Sequence, residues 1–182
     1  IVKTGTTFPS LKALKGDFDE WVVRGFGRDC RVEVEVAEVA AGVELPPAED
    51  YSGVIVTGSH EMVTDHAAWS ERAAEWLRKA VKREVPTLGI CFGHQLLAYA
   101  FGGKVGCNPN GWEAGTVVVT PNAFGSLDTL LGGFQGPFKA QMCHLQSVLE
   151  LPKGAVPLAV TRKETCAAFS INQCAWGLQF HP

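Results

Sequence analysis

Short apolar runs and amphipathic stretches follow one another through the middle of the chain. Residues 53–58 and 86–90 are apolar runs of strand length, which predicts strands buried on both faces of a sheet. Residues 67–82 place apolar side chains at helical spacing and charged side chains opposite, which predicts an amphipathic helix. Residues 96–101 predict another helix, ended by two glycines. This alternation of strand and helix predicts an α/β fold with a mostly parallel sheet.

The segments on either side of this middle part have other patterns. Residues 1–5 predict the end of a strand, and residues 10–23 carry apolar side chains at helical spacing. Residues 31–39 alternate valine with glutamate, which predicts a half-exposed strand near a sheet edge. Beyond Gly103 the chain has short strand-like runs separated by turns, at residues 116–120, 157–161, 166–171 and 175–180. We expect these runs to add a second, partly antiparallel layer to the parallel sheet.

Composition excludes several classes of protein. The 182 residues are 46% hydrophobic and 19% charged, which is typical of one compact soluble domain. A formal net charge of −3 argues against a nucleic-acid-binding surface. The longest apolar runs are too short to cross a membrane, and no secretory signal is visible at the start. We therefore expect a cytoplasmic protein that binds neither nucleic acid nor membrane.

The cysteines do not have the spacing of a metal or redox site. No Cys-x-x-Cys pair occurs, and the wide, irregular spacing does not predict a set of disulfides. Five of the six are expected to be small buried hydrophobic side chains in a reducing compartment. The six positions are Cys30, Cys91, Cys107, Cys143, Cys166 and Cys174. Cys91 is the exception, because of its neighbours.

The segment Gly89-Ile90-Cys91-Phe92-Gly93 lies between a predicted strand and a predicted helix. Gly-x-Cys-x-Gly in this context is the cysteine form of the nucleophile elbow. The tight turn strains the backbone of the nucleophile, and the flanking glycines omit side chains that would collide. A thiol at a helix start is favoured as thiolate, and the Phe92 N–H would face a developing oxyanion. An inert buried cysteine at a glycine-flanked strand end is the alternative.

A nucleophilic thiol needs a base, and the chain has five histidines. His94 belongs to the start of the predicted helix, and His60 and His66 flank a loop where a solvated role is the default. His181 follows an apolar run that would deliver it to the carboxyl edge of the sheet, where α/β folds bind ligands. Its position alone leaves a catalytic and a structural role equally open.

Two further features accompany the elbow: His94 and Gln95 follow it directly, and residues 179–182 are Gln-Phe-His-Pro. On these residues the chain resembles the class I glutamine amidotransferases, most closely the glutaminase domain of GMP synthase and its stand-alone relatives. The resemblance extends from the loop at Gly58 to the last residue. It implies a three-layer flavodoxin-like fold with a mostly parallel sheet, helices on both faces and a smaller, partly antiparallel addition. We expect a single domain over residues 1–182, incomplete at both ends.

The resemblance implies a Cys-His-Glu triad. Cys91 would attack the amide carbon of glutamine, and His181 would take the thiol proton and pass it to the departing ammonia. The glutamate of the family directly follows His-Pro and orients the histidine, a position one residue beyond Pro182. This chemistry requires neither a metal nor a cofactor, and we expect none.

The resemblance also assigns residues to the rest of the site. Gly58 lies where the family has its oxyanion loop, and its backbone would share the oxyanion with Phe92. Ser59 and His60 replace the usual Gly-Pro of that loop, and Ser59 is expected to contact the substrate. Gln95 matches a residue that contacts bound glutamine.

A second substrate-binding segment is implied at Cys143-His144-Leu145, which resembles the start of the family's Ser-His-x-Asp-x-Val segment. Its backbone would help to hold the amino and carboxylate ends of the substrate. Cys143 and Gln146 replace the serine and the aspartate of the family, which leaves the substrate preference open.

Three functions remain open from the sequence. The first is a glutaminase that forms a γ-glutamyl thioester on Cys91, with a separate synthase subunit as one recipient of the ammonia. The second is a stand-alone hydrolase of γ-glutamyl peptides or conjugates, favoured by the altered segment at Cys143 and by Ser59 and His60. The third is a catalytically weak regulatory module, which a non-acidic residue after Pro182 would favour.

Overall fold

The computed structural model describes residues 1–27 and 31–181; Cys30 and Pro182 lie outside the described residues. The helices are α1 (Pro9–Lys15), α2 (Phe18–Gly25), α3 (Ala68–Lys82) and α4 (Phe92–Ala100). The strands are β1 (Val2–Lys3), β2 (Ala37–Glu38), β3 (Val54–Val56), β4 (Thr87–Ile90), β5 (Lys104–Cys107), β6 (Glu113–Pro121), β7 (Phe138–His144), β8 (Gln146–Glu150), β9 (Val156–Val160), β10 (Ala168–Ile171) and β11 (Ala175–Leu178). Within the described ranges, none of the helices has the length and apolar content needed to span a membrane.

The described strands form one large sheet and one small sheet. The large sheet has nine strands in the order β2-β1-β3-β4-β11-β10-β9-β6-β7. Its first five strands are parallel, and the pairs from β11 onward are antiparallel. Strands β5 and β8 form a separate antiparallel pair. The predicted α/β fold, with a parallel sheet and a partly antiparallel addition, is therefore confirmed.

Helices cover both faces of the parallel half of the sheet. On one face, α3 and α4 pack over the buried side chains of Val54 and Val56. The helical stripe that meets them consists of buried apolar residues of α3, namely Ala73, Ala74, Leu77 and Ala80. On the other face, Ile55 and Leu88 lie across a cavity from side chains of α2. This arrangement gives the three layers expected from the sequence.

The predicted helix over residues 10–23 is two helices. Gly16 has a φ of 81°, in the left-handed region that ends a helix, and Asp17 starts α2 as its N-cap. The Asp17 carboxylate accepts from the Phe18 N–H at 2.9 Å, and the Asp17 N–H donates to Glu20 Oε2 at 2.7 Å. This reciprocal capping box makes the break between the two helices.

The prediction of a strand over residues 31–39 is wrong in extent, because only Ala37 and Glu38 pair with a neighbouring strand. Their partner β1 is itself only two residues long, so the ladder cannot extend further. The valines of the remaining stretch are exposed at Val32 and Val36. An alternating sequence forms a strand only where a neighbouring strand is long enough to pair with it.

Strands β5, β7 and β8 were not predicted. Strand β7 alternates exposed and buried side chains along Phe138–His144, which is the period-two pattern of a half-buried strand. It pairs with β6 along seven residues, from Val119 opposite Phe138 to Glu113 opposite His144. This pairing carries the segment at Cys143 to the edge of the sheet where β4 ends.

Candidate active site

Cys91 lies at the turn between β4 and α4 in a strained backbone conformation. Its φ is 55° and its ψ is −101°, which a residue with a side chain adopts only at a cost of about 1–3 kcal/mol. The surrounding structure holds it there: the Cys91 N–H donates to the Leu178 carbonyl at 2.8 Å, and the Cys91 carbonyl accepts from the Gln95 N–H at 3.2 Å. The backbone of Cys91 therefore has the strained conformation expected of a nucleophile elbow.

Steric contact with nearby backbone requires glycine at both positions of the elbow. A Cβ atom on Gly89 would lie 2.3 Å from the Gly93 carbonyl oxygen, and one on Gly93 would lie 2.5 Å from the Val56 carbonyl oxygen. Both distances are well inside van der Waals contact with backbone atoms that cannot rotate away. The predicted reason for the glycine spacing, the close approach of backbone on either side of Cys91, is confirmed.

One cavity joins several of the predicted site residues. It has a volume of about 460 Å³ and lies between α2 and the edge of the sheet. Five predicted residues line it, namely Gly58, Ser59, Cys91, Cys143 and His181. Its remaining wall is mostly apolar and comes from α2 and from side chains of β3 and β4. The structure thus brings the thiol and the predicted base to the same cavity.

His181 reaches the cavity from the end of the strand beside β4. Strand β11 runs parallel to β4, with Leu178 opposite Ile90, and the chain continues to His181. The His181 N–H donates to the Gln141 carbonyl of β7 at 2.8 Å, which anchors the backbone. The ring nitrogen Nε2 is buried and has no hydrogen-bond partner among residues 1–27 and 31–181. This nitrogen is available to a proton from another group.

The electrostatics of the two side chains favour their neutral forms. Burial raises the pKa of the Cys91 thiol to about 12; the Phe92 N–H and the Gln179 amide oppose this rise, and Cys143 adds to it. Burial lowers the pKa of the His181 imidazole, and the nearby His144 lowers it further. The sequence predicts a thiolate-favouring helix start, but burial outweighs that effect here. A proton must therefore move from the sulfur to a base during any nucleophilic attack.

The remaining predicted residues do not line the cavity. Phe92 is buried at the start of α4, and its backbone N–H points toward the Cys91 sulfur. Gln95 is buried, and its side-chain Nε2 donates to the Gln146 carbonyl at 2.8 Å and to Gln179 Oε1 at 2.9 Å. Leu145 is 45% exposed and is not among the residues that line the cavity.

His144 turns its side chain away from the cavity. It alternates with Cys143 along β7, so the two side chains face opposite sides of the strand. The imidazole Nδ1 donates to the Gln146 carbonyl at 2.9 Å, and Nε2 lies 3.4 Å from Glu113 Oε2. A substrate contact from this residue is therefore limited to its backbone, as the resemblance implies.

A buried network of polar side chains that was not predicted supports this segment. The Glu164 carboxylate accepts from the Cys166 N–H at 2.8 Å and from the Ser147 hydroxyl, and it lies 3.7 Å from His144 Nδ1. Burial raises the pKa of the Glu164 carboxyl, against the hydrogen bonds from Ser147 and Cys166 that lower it. Because these residues are far apart in the sequence, no local motif could have indicated the network.

A strained cysteine between a parallel strand and a helix, with a histidine on the adjacent strand, is the arrangement used by thiol-dependent hydrolases on α/β folds. The family model described as glutamine amidotransferase class-I matches residues 15–182. The chain belongs to this family, and its enzyme class is that of the cysteine-dependent amidohydrolases.

Relatives of this chain fall into two groups. It is 36% identical over 143 residues to the glutamine-hydrolyzing GMP synthase of Aeropyrum pernix, an alignment that covers 79% of this chain and 26% of the relative. It is 31% identical over 187 residues to gamma-glutamyl peptidase 5 of Arabidopsis thaliana, covering 100% of this chain and 73% of the relative. The chain spans about a quarter to a third of the length of the GMP synthases.

Solved structures support the fold. The crystal structure of a glutamine amidotransferase from Thermotoga maritima superimposes with a TM-score of 0.80 at 23% identity, covering 99% of this chain and 74% of the other. A glutamine amidotransferase from Methylobacillus flagellatus gives a TM-score of 0.79 at 24% identity, covering 99% of this chain and 68% of the other.

Proposed function

We propose that this chain hydrolyses the side-chain amide of glutamine to glutamate and ammonia through a γ-glutamyl thioester on Cys91. The observation that carries the proposal is the shared cavity of Cys91 and His181, with the thiol presented at a strained strand–helix turn. Membership of the class I glutamine amidotransferases supplies the chemical class.

The reaction proceeds in two halves. The Cys91 thiol gives its proton to His181 and the sulfur attacks the amide carbon, which forms a C–S bond and an oxyanion. His181 then protonates the departing nitrogen, the C–N bond breaks, and ammonia leaves a γ-glutamyl thioester. In the second half, water gives a proton to His181 and attacks the thioester; the C–S bond breaks and the sulfur takes that proton back.

The oxyanion of both halves would accept hydrogen bonds from the backbone N–H groups of Phe92 and Gly58. Gly58 lies beside the nucleophile, since a Cβ atom built on it would be 3.6 Å from the Cys91 Cβ. The Gly58 carbonyl accepts from the Thr4 hydroxyl at 3.1 Å, which holds the loop against β1. This anchoring keeps the oxyanion loop in place before substrate binds.

Ser59 and the backbone of residues 143–145 are proposed to hold the amino and carboxylate ends of the substrate. Ser59 and Cys143 line the same cavity as the thiol. Gln95, which resemblance assigns to substrate contact, is engaged with Gln146 and Gln179, so it would act on the site through those neighbours.

The test is release of ammonia and glutamate from glutamine by the wild-type protein, by Cys91→Ala and by Cys107→Ser. Cys107 is an exposed cysteine of β5, so its variant controls for the loss of a thiol. We expect Cys91→Ala to abolish turnover and Cys107→Ser to retain it. Turnover by Cys91→Ala at the wild-type rate would contradict the assignment of the nucleophile.

A second candidate is a hydrolase of γ-glutamyl peptides or conjugates. It is favoured by the gamma-glutamyl peptidase relative, whose alignment covers all of this chain, and by Cys143 in place of the family's serine. The two candidates share the thioester and differ in the leaving group. Comparison of kcat/KM for glutamine and for a γ-glutamyl dipeptide decides between them, because the better substrate identifies the leaving group that the site accepts.

The ammonia released by a glutaminase needs a recipient. The GMP synthase relatives are three to four times longer than the matched region, so a synthase subunit is the proposed recipient for a glutaminase.

Stable labelling of Cys91 by a glutamine-site diazo-ketone without turnover of either substrate would instead favour the catalytically weak regulatory module.

A further inference from the structure

Gln179 directly follows the last residue of β11, at the end of the strand that lies beside the nucleophile. Leu178 pairs with Ile90 in the parallel ladder, and the Cys91 N–H donates to the Leu178 carbonyl at 2.8 Å. The next residue, Gln179, is 0% exposed, and its own N–H donates to the Ala167 carbonyl at 2.9 Å. Because Leu178 lies opposite Ile90, the register of the ladder brings Gln179 beside Cys91, and the buried Gln179 amide is one of the groups that oppose the rise in the pKa of the Cys91 thiol.

The hydrogen bonds determine which end of this amide faces the sulfur. The backbone carbonyl of Gln146 can only accept, so the Gln95 group that contacts it at 2.8 Å must be the NH₂. The second hydrogen of that NH₂ is donated to Gln179 at 2.9 Å, so the Gln179 atom facing Gln95 must be the oxygen. The NH₂ of Gln179 consequently points to the opposite side.

The NH₂ of Gln179 has no acceptor in the resting site. Its nitrogen is buried and has no hydrogen-bond partner among the described residues. A buried amide that lacks an acceptor costs about 1–3 kcal/mol, so such a group is retained where a partner appears in another state. The Cys91 sulfur is the neighbouring atom that becomes a strong acceptor, since it turns from a thiol into a thiolate during the reaction.

We infer that Gln179 donates a hydrogen bond to the Cys91 thiolate, and that Gln95 orients it by binding its amide oxygen. The inference rests on the proposed nucleophilic role of Cys91. The donor complements the Phe92 N–H on the same sulfur, and the neutral amide adds no charge to a buried site. Gln179 thus compensates for part of the burial that disfavours the thiolate.

The test is the rate at which iodoacetamide alkylates Cys91 as a function of pH, followed on the Cys91 peptide by mass spectrometry. The variants are Gln179→Met, which removes the donor at nearly constant volume, and Gln179→Glu, which replaces the NH₂ by an acceptor. Gln95→Met leaves Gln179 in place but removes the group that orients it. The control is Gln173→Glu, an exposed position in the preceding hairpin.

Loss of a hydrogen bond to a charged group is worth about a tenfold to hundredfold change in thiolate fraction at a fixed pH. We expect alkylation of Cys91 at pH 8 to fall by that factor in Gln179→Met and further in Gln179→Glu. Gln95→Met should give a smaller fall, and Gln173→Glu should match the wild type. The profile should move to higher pH without a change in shape.

The direction of the change separates this role from a structural one. Cys91 is 8% exposed, so a variant that merely loosened the site would expose the thiol and raise its alkylation rate. Unchanged or faster alkylation in the Gln179 variants would overturn the inference. If the Gln179 variants do not fold, Gln95→Met decides by the same criterion. Because alkylation needs no substrate, failure of glutamine turnover leaves this result interpretable.

Discussion

Gly93→Ala tests the claim that backbone contact, and not chain flexibility, requires glycine at the elbow. Gly93 is the second residue of α4 and packs against β3. A Cβ atom here would lie 2.5 Å from the Val56 carbonyl oxygen, about 0.9 Å inside the 3.4 Å at which ordinary contact begins. Neither atom belongs to a movable side chain, so α4 must shift away from β3.

The change in the free energy of unfolding of Gly93→Ala follows from two opposing effects. Overpacking of this kind costs about 3 kcal/mol, and the better helix propensity of alanine returns about 1 kcal/mol. We expect a net loss of about 2 kcal/mol in the free energy of unfolding, or about 4–8 °C in Tm. The shift also moves Cys91 relative to His181, and a displacement near 1 Å lowers kcat/KM by about a hundredfold.

Gly25→Ala is the matched control, because Gly25 is also helical and has no atom within 4 Å of an added Cβ. It should raise the free energy of unfolding by about 0.5–1 kcal/mol; because Gly25 lines the cavity, this variant is a control for stability and not for turnover. Urea unfolding of both variants and glutamine hydrolysis by Gly93→Ala check these values. Wild-type stability and activity in Gly93→Ala would refute the steric explanation of the elbow.

Three further predictions concern charged groups. Asp17→Asn should lose about 3 kcal/mol at pH 7, because hydrogen bonds from Thr6, the Thr7 N–H, Lys12 and Lys3 hold the pKa of Asp17 well below 3.8 despite its burial. The loss should shrink as pH falls below 3.8, and a pH-independent difference in urea unfolding would contradict it. Glu164→Ala should lose about 3 kcal/mol in urea unfolding, since Ser147 and Cys166 lose their buried acceptor; an unchanged midpoint would argue against the network. The acid limb of kcat/KM should have a midpoint below 6.5, because burial lowers the pKa of the His181 base; a midpoint above 6.5 would exclude that base.

The elbow could be predicted from the sequence because its geometry depends on neighbouring residues. Glycine spacing, the apolar run of β4 and the start of α4 all lie within a dozen positions around Cys91, and the observed φ of 55° agrees. The base at His181 depends on strand order, which the sequence pattern alone left open. Paired residues of the adjacent strands β4 and β11, such as Leu88 and Trp176, are 88 positions apart in the sequence, so only the family motif connected them.

Two other features of the fold have a local signal in the sequence. Asp17 followed three residues later by Glu20 is the signature of a capping box, and it marks the break between α1 and α2. The alternation along Phe138–His144 is the signature of β7. The valine–glutamate alternation at residues 31–36 shows the reverse case, in which a strand pattern exists but β1 is too short to pair with it.

The polar groups behind the site had no local signal. The pairing of β6 with β7 brings Glu113 opposite His144, and Glu164 approaches His144 from the segment between β9 and β10. The Gln95–Gln179 contact likewise joins α4 to the end of β11. Such contacts depend on tertiary packing, which periodicity and spacing do not encode.

The central claim, that Cys91 is the nucleophile, is tested most directly by trapping the covalent intermediate. The protein is mixed with glutamine, quenched in acid, digested, and analysed by mass spectrometry. We expect the peptide containing Cys91 to gain the mass of one γ-glutamyl group and the corresponding peptide of Cys91→Ala to gain none. A γ-glutamyl group found on Cys143 instead, or turnover of glutamine by Cys91→Ala without any adduct, would contradict it.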